Sequence, residues 1–141
     1  MLVIAEFKYK LGKVERGYDN RTLYVDVSNT LITSKPVSKD MKDMFTGGRG
    51  FKLWLLWNSL PKDRIVKWDD PENEICIACD PLGGTPVYPG SGKNIAVSIS
   101  PLTGSVIDSN VGGYFGPYLK FAGWDSAHGN MTQYHIVPVD L

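Results

Sequence analysis

Glycine and proline most constrain what this chain can fold into, because both residues interrupt regular secondary structure. Together they account for 24 of the 141 residues, about 17% where about 12% is usual. They cluster from the middle third of the chain onward, above all in residues 80–93. This pattern favours short elements joined by shaped loops, and the length predicts a single domain over residues 1–141.

The charge balance excludes two classes of partner. Fifteen basic and fifteen acidic residues give a formal net charge of zero, which argues against a nucleic-acid binder and against a polybasic membrane anchor. No apolar run approaches the ~18–20 residues of a membrane span. The apolar start is interrupted by Glu6 and lacks the pattern of a signal peptide. We therefore expect a cytoplasmic protein.

Hydrophobic patterning predicts an α+β fold with mostly antiparallel β-sheets and two or three short helices. The predicted strands are residues 2–9, 22–27, one beginning near 31–32, 74–79, 94–100 and, as an edge strand, 134–139. The predicted helices are residues 39–45 with Ser38 as N-cap, an apolar and buried helix over 49–60, and a glycine-rich helix over 111–122 beginning near Asn110.

The two cysteines, Cys76 and Cys79, have the CxxC spacing of a redox dithiol or half a zinc site. Their surroundings are short, apolar and β-branched, which indicates a buried strand. Residues three apart in a strand point to opposite faces, so the two thiols should point away from each other. We interpret them as structural and buried.

Neither common nucleotide-binding motif is present. Val87 stands where a P-loop needs its first glycine, and Asn94 stands where it needs serine or threonine. Ile95 replaces the third glycine of a dinucleotide fingerprint. Glycines at the start of a helix can nevertheless expose N–H groups to an anion. Gly112 and Gly113 are placed for this role, as are Arg49 and its flanking glycines, although plain turns are the common alternative.

Five motifs occur in order along the chain: residues 47–51 (GGRGF), 80–85 (DPLGGT), 89–93 (PGSGK), 100–104 (SPLTG) and 108–125 (DSNVGGYFGPYLKFAGWD). Together they resemble the N-terminal domain of the aldehyde ferredoxin oxidoreductases, which are tungsten–pterin enzymes. The match covers about residues 20–126, whereas the tail 127–141 diverges.

The resemblance implies packed sheets that form a base under a bis-pterin tungsten or molybdenum cofactor. It implies oxidation of aldehydes to carboxylic acids, with electrons passing through one [4Fe–4S] cluster to ferredoxin. No catalytic residue is assigned to this chain, and the cluster would be held by missing C-terminal domains or a partner chain. The backbone carbonyl of Asn110 would help hold a bridging magnesium. The cofactor-binding residues implied are Arg49, Gly92, Lys93, Asn110, Gly112 and Gly113.

Two departures from the family pattern bear on this reading. Lys93 stands where many members have arginine, and lysine lacks the bidentate fork. Asp80 stands where the family has glycine, so it adds a negative charge near a polyanion. The alternatives are a non-catalytic interaction module, suggested by the apolar helix and diverged tail, or a truncated relic of such an enzyme.

Overall fold

The computed structural model describes residues 3–130, which contain one six-stranded sheet and three helices. The α+β prediction is confirmed, but a single sheet is present in this range where packed sheets were expected. The strand predicted at 134–139 lies outside the described residues. The elements are β1 (Arg21–Asp26), β2 (Leu31–Pro36), α1 (Lys39–Met44), α2 (Gly48–Ser59), β3 (Ile75–Cys79), β4 (Asn94–Ile99), β5 (Val106–Val111), α3 (Phe115–Phe121) and β6 (Ser126–Gly129).

The sheet is mixed, with the strand order β2-β1-β6-β3-β4-β5. Only the β1–β6 pair is parallel, and the other four pairs are antiparallel. The last described strand, β6, therefore lies between the first hairpin and the β3–β4–β5 meander. All four β6 residues are buried because the strand has neighbours on both edges.

Helices α2 and α3 contribute to two separate cores. The side chains of Phe51, Leu55 and Leu56 on α2 pack with Cys76 and Val97 of the sheet. In the second core, Leu119 on α3 packs with Cys79, Trp124 and Ala127. The separation of Cys76 from Cys79 confirms the strand assignment for the CxxC segment, since alternate strand residues face alternate sides.

The helix predictions for α1 and α2 are largely confirmed. The Ser38 Oγ accepts a hydrogen bond from the Met41 amide at 3.1 Å, as an N-cap should. The expectation that α2 is well buried holds for one side of the helix, where even Lys52 is fully buried. It is wrong for the other side, where Trp57 is 66% exposed.

Residues 3–14 do not form the strand predicted for 2–9. Tyr9 instead packs on Trp124, with ring centroids 4.8 Å apart, and its hydroxyl donates to the Ala122 carbonyl. The guanidinium of Arg21 lies 4.8 Å from the Trp124 centroid and 5.4 Å from that of Tyr9. These aromatic and cation–π contacts, rather than backbone pairing, hold the segment.

The helix predicted from near Asn110 begins only at Phe115, and residues 106–111 form strand β5. The intervening Gly113 has φ = 103°, a conformation that breaks both strand and helix. Asn110 therefore lies on an edge strand, where Ile95 of β4 is its register partner.

A buried ionic cluster joins the turn at residues 15–18 to the segment after α3. The Lys120 ammonium lies 2.9 Å from Asp19 Oδ2 and 2.7 Å from Asp125 Oδ1, and donates to the Gly17 carbonyl at 2.7 Å. Asp125 also accepts the amides of Asp19 and Asn20. The turn in contact with this cluster packs on Pro81, because a Cβ added to Gly17 would lie 2.6 Å from the Pro81 carbonyl oxygen.

Candidate phosphate-binding site

One end of the sheet brings together all the sequence-predicted binding residues. Strand β3 ends at Cys79, β4 begins at Asn94 and β5 ends at Val111, so their connecting loops meet at that end. Helix α2 begins nearby, because Asp80 lies directly over Gly48. The predicted residues sit on three of these segments: Arg49 on α2, Gly92 and Lys93 before β4, and Asn110, Gly112 and Gly113 at the end of β5.

Lys93, Gly92, Gly112 and Gly113 form a cradle of exposed backbone beside a positive charge. A Cβ at Gly112 would lie 3.9 Å from Lys93 Nζ, and a Cβ at Gly92 would lie 2.7 Å from the Gly113 carbonyl oxygen. The space above Gly113 is open, with nothing within 4 Å of a Cβ position. Within residues 3–130, Lys93 makes no ion pair and its side chain is exposed. This cradle has the shape and charge to accept a phosphate group.

The Arg49 side chain forms an ion pair within the chain. Its guanidinium lies 2.5 Å from the Asp108 carboxylate on β5, and both side chains retain partial exposure. Asp108 and Asn110 are two residues apart on one strand and so share a face of the sheet. Arg49 is thus held next to Asn110, but its charge is already matched.

Sequence reasoning missed a second charged group at this end of the sheet. Lys52 on α2 is 0% exposed, and its Nζ has no hydrogen-bond partner in the described part of the chain. Burial lowers the pKa of Lys52 to about 8, although the carboxylates of Asp80 and Asp108 oppose the shift. A lysine flanked by Phe51 and Leu53 in an apolar helix was the available signal.

Asp80 closes the space in front of α2. Its carboxylate lies over Gly48, where any added side chain would collide with it. A depression of about 320 Å³ runs between Thr46, Asp80 and Lys93. The Asp80 carboxylate therefore places a negative charge in front of the N-terminus of α2.

The remaining candidate groups, the two cysteines and His128, are buried in the sheet. Burial raises the pKa of the Cys76 thiol, and that of Cys79 to about 11. His128 lies on β6 with its Nδ1 3.7 Å from Cys76 Sγ and its Nε2 against Glu74. Residues 3–130 contain no group of three or more acidic, histidine or cysteine side chains placed to hold a metal ion. Buried protonated thiols are poor nucleophiles and ligands, so a redox or zinc role for this CxxC is not supported.

The described residues form an α+β domain in which the backbone of Gly112 and Gly113 lies exposed beside the Lys93 side chain. The profile of "Aldehyde ferredoxin oxidoreductase, N-terminal domain" matches residues 22–128. The chain belongs to this family, as the motifs predicted.

Relatives with curated descriptions support the assignment. The chain is 36% identical over 110 residues to the "Tungsten-containing aldehyde ferredoxin oxidoreductase" of Pyrococcus horikoshii, covering 78% of this chain and 18% of that protein. It is 38% identical over 110 residues, with the same coverage, to the protein of that name in Pyrococcus furiosus. An "Aliphatic sulfonate oxidoreductase, WOR-like subunit" of Pyrococcus furiosus is 35% identical over 114 residues, covering 77% of this chain and 17% of that protein. The chain thus spans less than a fifth of these relatives.

A solved structure has the same fold. The "Active site complex BamBC of Benzoyl Coenzyme A reductase in complex with 1,5 Dienoyl-CoA" superimposes with a TM-score of 0.73 at 29% identity, covering 80% of this chain and 17% of that one. Within residues 3–130, no helix has both the length and the apolar character to cross a membrane.

Proposed function

We propose that this chain forms the cofactor-binding N-terminal part of a tungsten or molybdenum aldehyde:ferredoxin oxidoreductase. The proposal rests on the family membership and on one observation above all. Among residues 3–130, Lys93 is an exposed cation without an ion-pair partner, and it lies beside the open backbone of Gly112 and Gly113. The phosphates of a bis-pterin cofactor carry the charge and acceptor oxygens that such a cradle binds.

Each predicted residue would make a different contribution to binding the cofactor. Lys93 would neutralise a phosphate, and the glycine backbone would let the cofactor approach without steric conflict. The carbonyl of Asn110 would contribute to a magnesium ion, a hard cation that prefers oxygen ligands. Arg49 would position β5 through Asp108 rather than grip the cofactor directly. The bound metal–pterin group supplies the oxidation chemistry, and this chain's own residues bind and orient it.

The rest of the enzyme would come from further domains or a partner chain. The chain covers 18% of its Pyrococcus relatives, so a [4Fe–4S] cluster, the aldehyde pocket and the route to ferredoxin would lie in that remainder. An exposed aromatic row along α3 and its N-cap residue Tyr114 offers a docking surface for that remainder: Tyr114 is 77%, Tyr118 59% and Phe121 56% exposed. Such a contiguous apolar row is uncommon on a surface that faces only water.

Tungsten and pterin content of the assembled enzyme tests the proposal. Lys93→Met should lower both when the chain is co-produced with its cluster-bearing partner, because it removes the cation that would neutralise a cofactor phosphate. Lys93→Arg should retain both, since the charge persists. Lys39→Met, an exposed lysine on α1, is the matched control. Full tungsten and pterin content in Lys93→Met would refute the assignment.

A further inference from the structure

Strand β5 forms an edge of the sheet that has no strand beside it. It is last in the strand order, and β4 is its neighbour on the inner side. Within residues 3–130, residues 106–111 make no backbone hydrogen bond other than those to β4. All six β5 residues are exposed, and the aliphatic ones, Val106, Ile107 and Val111, are 49%, 43% and 41% exposed. A free edge with aliphatic side chains on both faces is a template on which another strand can pair.

The opposite edge of the sheet is protected against such pairing. Strand β2 ends in Lys35 and Pro36. Proline has no N–H to donate, and an edge lysine would have to be desolvated when a further strand pairs. Strand β5 contains neither residue type, and the charge of its Asp108 is matched by Arg49 at 2.5 Å. Of the two edges, β5 is therefore the one open to a further strand.

The sequence of β5 is complementary to itself when two copies run antiparallel. A two-fold axis perpendicular to the sheet at Ser109 places Ile107 opposite Val111 of the second copy, and Asp108 opposite Asn110. Directly opposite side chains lie about 4.5–5.5 Å apart on the same face, so an aliphatic group meets an aliphatic group and a carboxylate meets an amide donor. An axis at Asp108 would instead place two carboxylates opposite each other, which disfavours that register.

We propose that β5 is a self-association edge, through which two copies of this chain pair antiparallel about Ser109. An interface with two-fold symmetry uses the same patch on both copies, so one self-complementary strand is sufficient. The formal net charge of zero means that two copies have no overall charge repulsion to overcome. The pairing joins two six-stranded sheets into one continuous sheet. This inference concerns the 141-residue chain and does not depend on whether tungstopterin binds.

Sedimentation equilibrium of the variants at residue 109 tests the proposal. The unaltered chain should sediment at twice 15.6 kDa. Ser109→Lys and Ser109→Asp should each lose the dimer, because each places two like charges opposite each other at the axis. An equimolar mixture of the two variants should regain the dimer, since lysine then lies opposite aspartate. Ser34→Lys is the matched control, because it makes the same change at an exposed position of the other edge strand, and it should remain dimeric.

Two sedimentation results would overturn the proposal. One is an unaltered chain that remains a monomer of 15.6 kDa, which would leave the β5 edge to another occupant such as the rest of the enzyme. The other is a mixture of folded Ser109→Lys and Ser109→Asp that stays monomeric, because the dimer contact would then lie elsewhere.

A cross-link covers the case in which the charged variants do not fold. In Ser109→Cys, mild oxidation should give a disulfide-linked dimer, because opposite Cα atoms about 4.5–5.5 Å apart are within disulfide range. The native Cys76 and Cys79 are buried and should not contribute. Ser34→Cys is the control and should give no such dimer. Failure of Ser109→Cys to cross-link more than Ser34→Cys would also refute the register.

Discussion

Lys120→Met should be among the most destabilising single substitutions in the chain. The side chains of Lys120, Asp19 and Asp125 are only 7%, 5% and 3% exposed. Removing the shared cation leaves two buried carboxylates without a countercharge, and breaking such a pair costs about 3–5 kcal/mol. That is a large part of the ~5–15 kcal/mol by which a domain is stable.

The expected loss in the free energy of unfolding can be converted to a change in melting temperature. Unfolding entropy of ~2.1 cal/mol/K per residue gives ~0.3 kcal/mol/K for a chain of this length. A loss of 3–5 kcal/mol therefore lowers the melting temperature by about 10–17 °C. Calorimetry of Lys120→Met measures the change in melting temperature, and urea unfolding measures the loss of free energy. Lys39→Met is the control for both.

The control separates the effect of burial on stability from the effect of removing a paired positive charge. Lys39 also forms an ion pair, with Asp43, but those side chains are 84% and 56% exposed. Exposed pairs contribute little, so Lys39→Met should leave the melting temperature almost unchanged. A fall of less than about 3 °C in Lys120→Met, corresponding to under ~1 kcal/mol, would show that the buried cluster does not stabilise the fold as argued.

Two further predictions concern the cradle and β6. Gly92→Ala should destabilise the chain by about 1–3 kcal/mol, because its Cβ would lie 2.7 Å from the Gly113 carbonyl oxygen. Gly12→Ala is the control, since the nearest atom to its Cβ would lie 3.9 Å away. Equal midpoints of urea unfolding for the two variants would contradict the steric argument. Burial lowers the pKa of His128 from 6.5 to about 4, so native stability should fall by up to about 3 kcal/mol as pH drops through that window. His128→Gln should remove this dependence of the free energy of unfolding on pH, and an unchanged dependence in the variant would refute the prediction. The raised pKa of Glu74 changes stability with pH in the opposite sense, and it does so in both proteins.

Local signals were strong enough to predict much of the fold. Ser38 predicted the start of α1 because an N-cap acts within one turn. The apolar β-branched run at Ile75–Cys79 predicted β3 because burial on both faces demands it. Strand β5 was missed because Asp108, Ser109 and Asn110 have low intrinsic β-propensity. That segment is extended because β4 pairs with it, and such pairing is tertiary rather than local.

Part of the candidate site was also predictable, because local sequence signals mark it. Glycine spacing and family motifs placed Lys93 and Gly113 together, since the loops themselves carry the signal. The burial of Lys52 and the position of Asp80 over Gly48 depend on how α2 docks against the end of β3. Residues far apart in sequence determine that docking, so no local pattern encodes it.

The central position of β6 has a consequence for the order of assembly during synthesis. The β1–β2 hairpin and the β3–β4–β5 meander touch through β6, and Thr22 meets Ser126 across a separation of 104 residues. A ribosome must therefore release almost the whole described range before the two halves can join. Until then each half exposes a strand edge, and closure of so long a loop makes the final step slow. Chaperone protection during that interval matters more for this chain than for a sheet built in sequence order.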